Sequence, residues 1–224
     1  MCNNFKAAIF DLDGTLIDSM WIWDKIDQDY LNCHGFSVPE DLKNNINHLT
    51  FEETAAYFKE KYNIPESIDS IINIWNSMAL KHYSKNITLK KGALELLDHL
   101  KAFNIKIGLA TSNSRTLLNA ALKHTNTFDY FDCITTTEEV QKGKTNPDVY
   151  LLTAKKLGVH PNECIVFEDI LEAVIGAKKA NMKVVAVYDK ASDHQKDALI
   201  ETSDKYITNF YDLDLSLFEK THPQ

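Results

Sequence analysis

Arginine is almost missing from this chain: among 24 basic residues only Arg115 carries a guanidinium, and every other formal cation is lysine, a compositional habit of the source. With 32 acidic residues the formal net charge is −8. A surface of that sign repels nucleic acid and anionic membrane, so neither is expected as a partner. No apolar run reaches the roughly 18 residues that a membrane-spanning helix needs. The four cysteines (Cys2, Cys33, Cys133 and Cys164) lie far apart and form no C-x-x-C pair, which argues against zinc or redox chemistry. Reduced, mostly buried thiols are expected instead. Residues Met1 to Lys6 lead into an apolar run without a basic leader or cleavage signal, so a cytoplasmic location is expected. Repeats, low-complexity tracts and the His-Glu-x-x-His zinc pattern are also missing. What is present is ordinary for a globular protein, 44% hydrophobic and 25% charged over 224 residues. That length can bury one core, or one core with a smaller attached domain.

Short apolar runs end at polar clusters. Ala7–Phe10 stops at Asp11, Ile105–Ala110 at Thr111, and Cys164–Phe167 at Glu168, while Lys183–Val187 ends near Asp189. Helical periodicity fills the intervals at 93–103, 116–123, 147–157 and 171–179. This alternation predicts an α/β fold, a parallel sheet with helices on both faces. Such sheets bind ligands beyond the carboxyl ends of their strands, where Asp11, Thr111-Ser112-Asn113 and Glu168-Asp169 converge. Residues 19–88 read differently. Apolar stripes at Trp23, Ile26, Tyr30 and Cys33, at Ala55, Phe58 and Tyr62, and at Ile68, Ile71 or Ile72, Trp75 and Ala79 predict amphipathic helices. The reading is a helical domain at 19–88 inserted into an α/β core made of 1–18 and 89–224, with the tryptophans in the insert's core.

The strongest local signal is Asp11-Leu12-Asp13-Gly14-Thr15. Two carboxylates one residue apart at a strand end lean the same way, and Gly14 lets the chain turn. This motif resembles the first signature of the haloacid dehalogenase-like superfamily. Thr111-Ser112-Asn113, Lys144 in Gly143-Lys144-Thr145-Asn146-Pro147-Asp148, and Phe167-Glu168-Asp169 resemble the second, third and fourth. The resemblance covers essentially the whole chain and is nearest the branch holding phosphoglycolate phosphatase and β-phosphoglucomutase. It implies a Rossmann-like sheet with an inserted all-helical cap.

The implied chemistry is magnesium-dependent hydrolysis of a small phosphorylated metabolite, a sugar phosphate or a phosphoglycolate-like compound. Asp11 is the candidate nucleophile, forming an aspartyl-phosphate. Asp13 is the candidate acid and base, a role that requires a protonated fraction near neutral pH. Hard oxygen ligands favour Mg2+, with Asp11 and Asp169 as carboxylate ligands and Glu168 as a supplementary one. The resemblance adds Asp13 through its backbone carbonyl. Thr111, Ser112 and Asn113 with Lys144 would bind phosphate. Lys142 is an alternative cation, but Asn146 as helix cap and Pro147 as first helical residue set the register in favour of Lys144.

The chain departs from the family pattern at several places. Ile170 replaces a serine, Ala173 and Asn181 replace small glycines, and Thr145 replaces a proline. In the cap, Trp23 stands for a histidine, and Asn47 and Phe51 stand for basic residues. Their loss favours water as phosphoryl acceptor over a sugar hydroxyl, leaving a β-phosphoglucomutase-type isomerase as the alternative. A non-catalytic binding protein is a further alternative, opposed by the intact set Asp11, Asp13, Thr111, Lys144 and Asp169. Trp21, His48, Thr50 and Arg115 are candidate substrate contacts. The oligomeric state is left open.

Overall fold

The computed structural model describes residues 5–46 and 49–218. Packing divides the chain into two compact units, residues 1–19 with 87–224, and residues 20–86. Candidates Asn47 and His48, and Cys2, lie outside the described residues.

The elements follow in chain order as β1 (Ala7–Phe10), β2 (Ile17–Asp18), α1 (Trp21–Cys33), α2 (Leu42–Ile46), α3 (Phe51–Lys61), α4 (Ile68–Tyr83), β3 (Thr88–Leu89) and α5 (Ala93–Ala102). They continue with β4 (Lys106–Thr111), α6 (Arg115–His124), β5 (Cys133–Thr136), α7 (Asp148–Leu157), β6 (Cys164–Glu168), α8 (Leu171–Lys179), β7 (Lys183–Val187), α9 (Lys196–Thr202) and β8 (Lys205–Ile207).

In the first unit β1 is buried along its whole length because its four apolar residues have neighbours on both sides and both faces. The sheet order is β5-β4-β1-β6-β7-β8, and every pairing is parallel. From β1 the chain builds outward through β4 and β5, then crosses back to build through β6, β7 and β8. Right-handed crossovers in opposite directions put their helices on opposite faces. Accordingly Val149, Tyr150 and Ala154 of α7, Val174 and Ala177 of α8 and Leu199 of α9 share one cluster with Ala7, Ile9, Val166 and Val184. On the other face Phe10 and Phe167 stack at 4.6 Å, with Phe210 edge-on to Phe167 at 5.6 Å. The reversal of direction beside β1 creates the crevice where such sheets hold ligands. The chain leaves this unit after β2 and re-enters at β3, a two-residue antiparallel pair that the sequence reading had not anticipated.

The second unit is all-helical in its described elements. Its interior is aromatic: Trp75 lies 5.1 Å from Phe58 and 5.7 Å from Tyr30, edge-on to both. The buried face of α1 is Ile22, Ile26, Tyr30 and Leu31, so the stripe expected through Trp23 and Cys33 is rotated. Ile22 is fully covered, whereas Trp23 is only half-buried and Cys33 is exposed. Of the tryptophans, Trp75 is core and Trp21 is 39% exposed. The cysteine expectation also shifts. Cys164 is buried, Cys133 is half-buried, and all three described thiols are free.

Candidate active site

Strand register assembles the centre of the site. Phe10 pairs with Phe167 of β6 and with Leu109 of β4, so the next residue, Asp11, falls beside Glu168 and Ala110. The Asp11 N–H donates to the Phe167 carbonyl at 3.0 Å, extending the ladder by one residue. Neighbours in a parallel register point to the same face, and alternation puts Asp11 and Glu168 on the face of Ile9 and Val166. Both carboxylates therefore end a buried column and are themselves buried.

Gly14 and Thr15 bring in Asp169. Gly14 has φ of 77°, and a Cβ there would lie 2.3 Å from Asp169 Oδ2. The missing side chain is thus the space that the Asp169 carboxylate occupies. The buried Thr15 hydroxyl donates to Asp169 Oδ1 at 2.9 Å. Asp11, Glu168 and Asp169 each offer a carboxylate oxygen within 4.8 Å of the others. Glu168 Oε2 is buried with no hydrogen-bond partner among the described residues. An all-oxygen acidic triad with an unpaired carboxyl oxygen fits a hard divalent cation.

Lys144 reaches this group from the loop before α7, where a turn closes with Asn146 N–H donating to the Gly143 carbonyl at 3.0 Å. Its ammonium donates to Asp11 Oδ1 and, at 2.7 Å, to Glu168 Oε1. It is 8% exposed, whereas Lys142 is exposed. The register argument for Lys144 needs correction, because α7 begins at Asp148, Pro147 precedes it, and no side chain caps it. Gly176 of α8 leaves the space in which the loop lies, and Lys179 donates to the Thr145 carbonyl at 3.1 Å. A Cβ at Gly176 would sit 1.8 Å from the Lys144 carbonyl oxygen. Burial pulls the Lys144 ammonium down, but Asp11 and Glu168 beside it reverse that and hold it above the ordinary lysine value. Burial pushes Glu168 up to about 7, opposed by Lys144 and reinforced by Asp11. Asp169 is raised well above the carboxylate range by burial, then by Asp11 and Glu168.

Asp13 is half-buried. Its Oδ1 accepts from the buried Ser19 hydroxyl and its Oδ2 from the Asn113 amide, both at 2.7 Å. Asn113, expected to face phosphate, is thereby joined to Asp13. The Thr111 hydroxyl is buried and accepts from the Asn113 N–H at 3.0 Å. Ser112 is exposed at the strand end. Ser114 accepts from the Leu117 N–H and caps α6.

Three residues in or around the site were not singled out by the sequence patterns. The Tyr150 hydroxyl donates to Glu168 Oε1 at 2.7 Å, and burial followed by Glu168 keeps its pKa well above the ordinary tyrosine value. Gly176 was legible only as a lone helical glycine, which usually marks close packing. Gln195 explains how Ile170 is tolerated, since its side-chain oxygen accepts from the Leu171 N–H at 2.9 Å in place of a capping hydroxyl. Asn181 likewise suits a glycine position, because its φ of 60° is one that asparagine tolerates.

Among the candidate substrate contacts, Arg115 pairs with Glu139 at 2.6 Å. Thr50 caps α3 in a reciprocal box with Glu53. Trp21 lies edge-on to His82 at 5.4 Å. Phe51 packs 5.7 Å from Trp23 and 5.3 Å from Trp75. Among the described residues, no helix is long and apolar enough to cross a membrane.

The family model described as haloacid dehalogenase-like hydrolase matches residues 8–187. YhcW of Bacillus subtilis, provisionally named a phosphatase, is 32% identical over 88% of this chain and 93% of its own length. Hexitol phosphatase B of Escherichia coli K12 is 28% identical over 92% and 93%. A Thermotoga maritima crystal structure, provisionally named a β-phosphoglucomutase, is 26% identical with a TM-score of 0.82, covering 91% of this chain and 94% of that one.

Proposed function

The chain belongs to the haloacid dehalogenase-like hydrolase family, and from that premise we propose that it hydrolyses small phosphomonoesters, sugar phosphates foremost, through an aspartyl-phosphate on Asp11 with Mg2+ as cofactor. The observation that carries this reading is the junction of Asp11, Lys144, Glu168 and Asp169, with one Glu168 oxygen left unpaired. The sugar-phosphate class is supported by the 28% likeness to a hexitol phosphatase.

The Asp11 carboxylate attacks phosphorus while the bond to the leaving oxygen breaks, and Asp13 gives that oxygen its proton. Asp13 then takes a proton from water, water attacks the phosphorus, and the Asp11–phosphate bond breaks to release inorganic phosphate. Splitting the displacement in this way replaces one difficult step by two easier ones. Lys144 holds the Asp11 side chain and supplies local positive charge that a chain of net charge −8 otherwise lacks for an anionic substrate. Asp11, Glu168 and Asp169, with the Asp13 carbonyl, would hold the magnesium, which when bound screens carboxylate from phosphate. Thr111, Ser112 and the N-terminal end of α6 bind the phosphoryl oxygens. Asn113 acts from its bond to Asp13.

The likeness to the Thermotoga structure favours a second reading, an isomerase moving phosphate between sugar positions. Incubation with a panel of phosphomonoesters, with magnesium or chelator, distinguishes the two. Metal-dependent phosphate release is expected. Isomerisation of β-glucose 1-phosphate with a bisphosphate activator and no net release would move the assignment to a mutase, and inactivity towards the whole panel would favour a binding protein.

A further inference from the structure

We propose that Tyr150 is a positioning residue for cation binding: its hydroxyl and the Lys144 ammonium together engage one oxygen of Glu168, so that the other stays free for the metal. The proposal rests on the metal-dependent reading above.

Tyr150 is fully buried on α7 and belongs to the cluster that covers one face of the sheet. Its hydroxyl lies 2.7 Å from Glu168 Oε1 and 3.2 Å from the Ala173 carbonyl oxygen. A phenol has one proton, and the shorter bond to a charged acceptor is the stronger of the two. Lys144 Nζ also sits 2.7 Å from Oε1. Both donors thus fall on one oxygen, while Oε2 is buried without any. A carboxylate serving only the fold would be expected to divide its donors, because an unpaired buried polar atom costs about 1–3 kcal/mol. The asymmetry is what a metal ligand requires. Two donors on Oε1 fix the rotation of the carboxyl group, and Glu168 offers one of three carboxylate oxygens, with those of Asp11 and Asp169, that lie within 4.8 Å of one another. Tyr150→Phe keeps the ring and its packing but leaves Lys144 as the one side-chain donor to Glu168 among the described residues.

Calorimetric titration of magnesium into the chelator-treated full chain tests this without recourse to turnover. The wild type is expected to bind, and Tyr150→Phe to bind about tenfold more weakly, as outer partners of metal ligands do when removed. In a Glu168→Gln background the same Tyr150→Phe change is expected to alter affinity little, since it acts through Glu168. Equal affinity of wild type and Tyr150→Phe would overturn the positioning role, as would a tenfold loss that persists in the Glu168→Gln background. No binding by the wild type would overturn the metal-dependent reading itself. Should Tyr150→Phe fail to fold, site-specific fluorotyrosine at position 150 keeps ring and hydroxyl. Its fluorine resonance is expected to shift along the magnesium titration, and an unmoved resonance would overturn the proposal.

Discussion

Gly14 and Thr15 hold Asp169 by opposite means, one by leaving space and the other by donating a proton. Gly14→Ala must place a methyl 2.3 Å from Asp169 Oδ2 on a backbone with positive φ. It is expected to destabilise the protein by about 1–3 kcal/mol and to abolish turnover by displacing Asp169; denaturant titration and a phosphate-release assay check both. Thr15→Val keeps the shape and removes only the donor, so a smaller loss of about 1–2 kcal/mol is expected, with weaker magnesium binding. Glu168 gives a pH prediction. Its folded value of about 7 exceeds the ordinary 4.5, chiefly through burial. Between those values the metal-free native chain binds more protons at this site than the unfolded chain does. Its contribution to stability is therefore full below about 4.5 and is lost as pH rises through 7. Chelator-treated Glu168→Gln should gain stability relative to the wild type across that window, measured as the difference in denaturation midpoint. A constant difference from pH 4.5 to 7.5 would contradict the raised value.

At the scale of elements, helix α8 does more than cover the sheet. Gly176 lets the Lys144 loop lie against it, so helix propensity is subordinate to packing at that turn. Gly176→Ala would add about 1 kcal/mol of helix propensity in isolation. With a Cβ 1.8 Å from the Lys144 carbonyl oxygen, it is instead expected to cost about 1–3 kcal/mol net and to depress turnover. An unchanged melting temperature would show that the loop moves aside freely. Elements also show where sequence patterns stop being informative. Strands β1, β6 and β7 and helix α8 were legible because apolar runs or stripes mark them along the chain. Strands β5 and β8 were not, and they are the two edges of the sheet. Each has one ladder neighbour and little need for continuous apolar residues, so Cys133-Ile134-Thr135-Thr136 and Lys205-Tyr206-Ile207 carry no strong signal. In α1, side chains one position apart compete for the same stripe. Ile22 took the buried place assigned to Trp23.

At the scale of the molecule, the site draws on segments separated by more than a hundred residues, which a parallel sheet brings together at one edge. The acidic residues were legible because each follows an apolar strand directly. Tyr150, Gly176 and Gln195 were not, because their partners are defined only through space. Ser19 shares that limitation, since it is fixed by Asp13 rather than by a local pattern, whereas Asn113 was legible at a strand end and only its bond to Asp13 was not. The family membership of the whole chain turns this geometry into one central claim, that phosphate passes through Asp11. Acid-quenched turnover of a labelled phosphoester tests it most directly, followed by trypsin digestion, which releases the segment between Lys6 and Lys25 that contains Asp11. The expected result is hydroxylamine-labile phosphate on that peptide in the wild type with magnesium, and neither label nor turnover in Asp11→Asn. Undiminished turnover by Asp11→Asn, with no phosphate on the peptide, would contradict the claim.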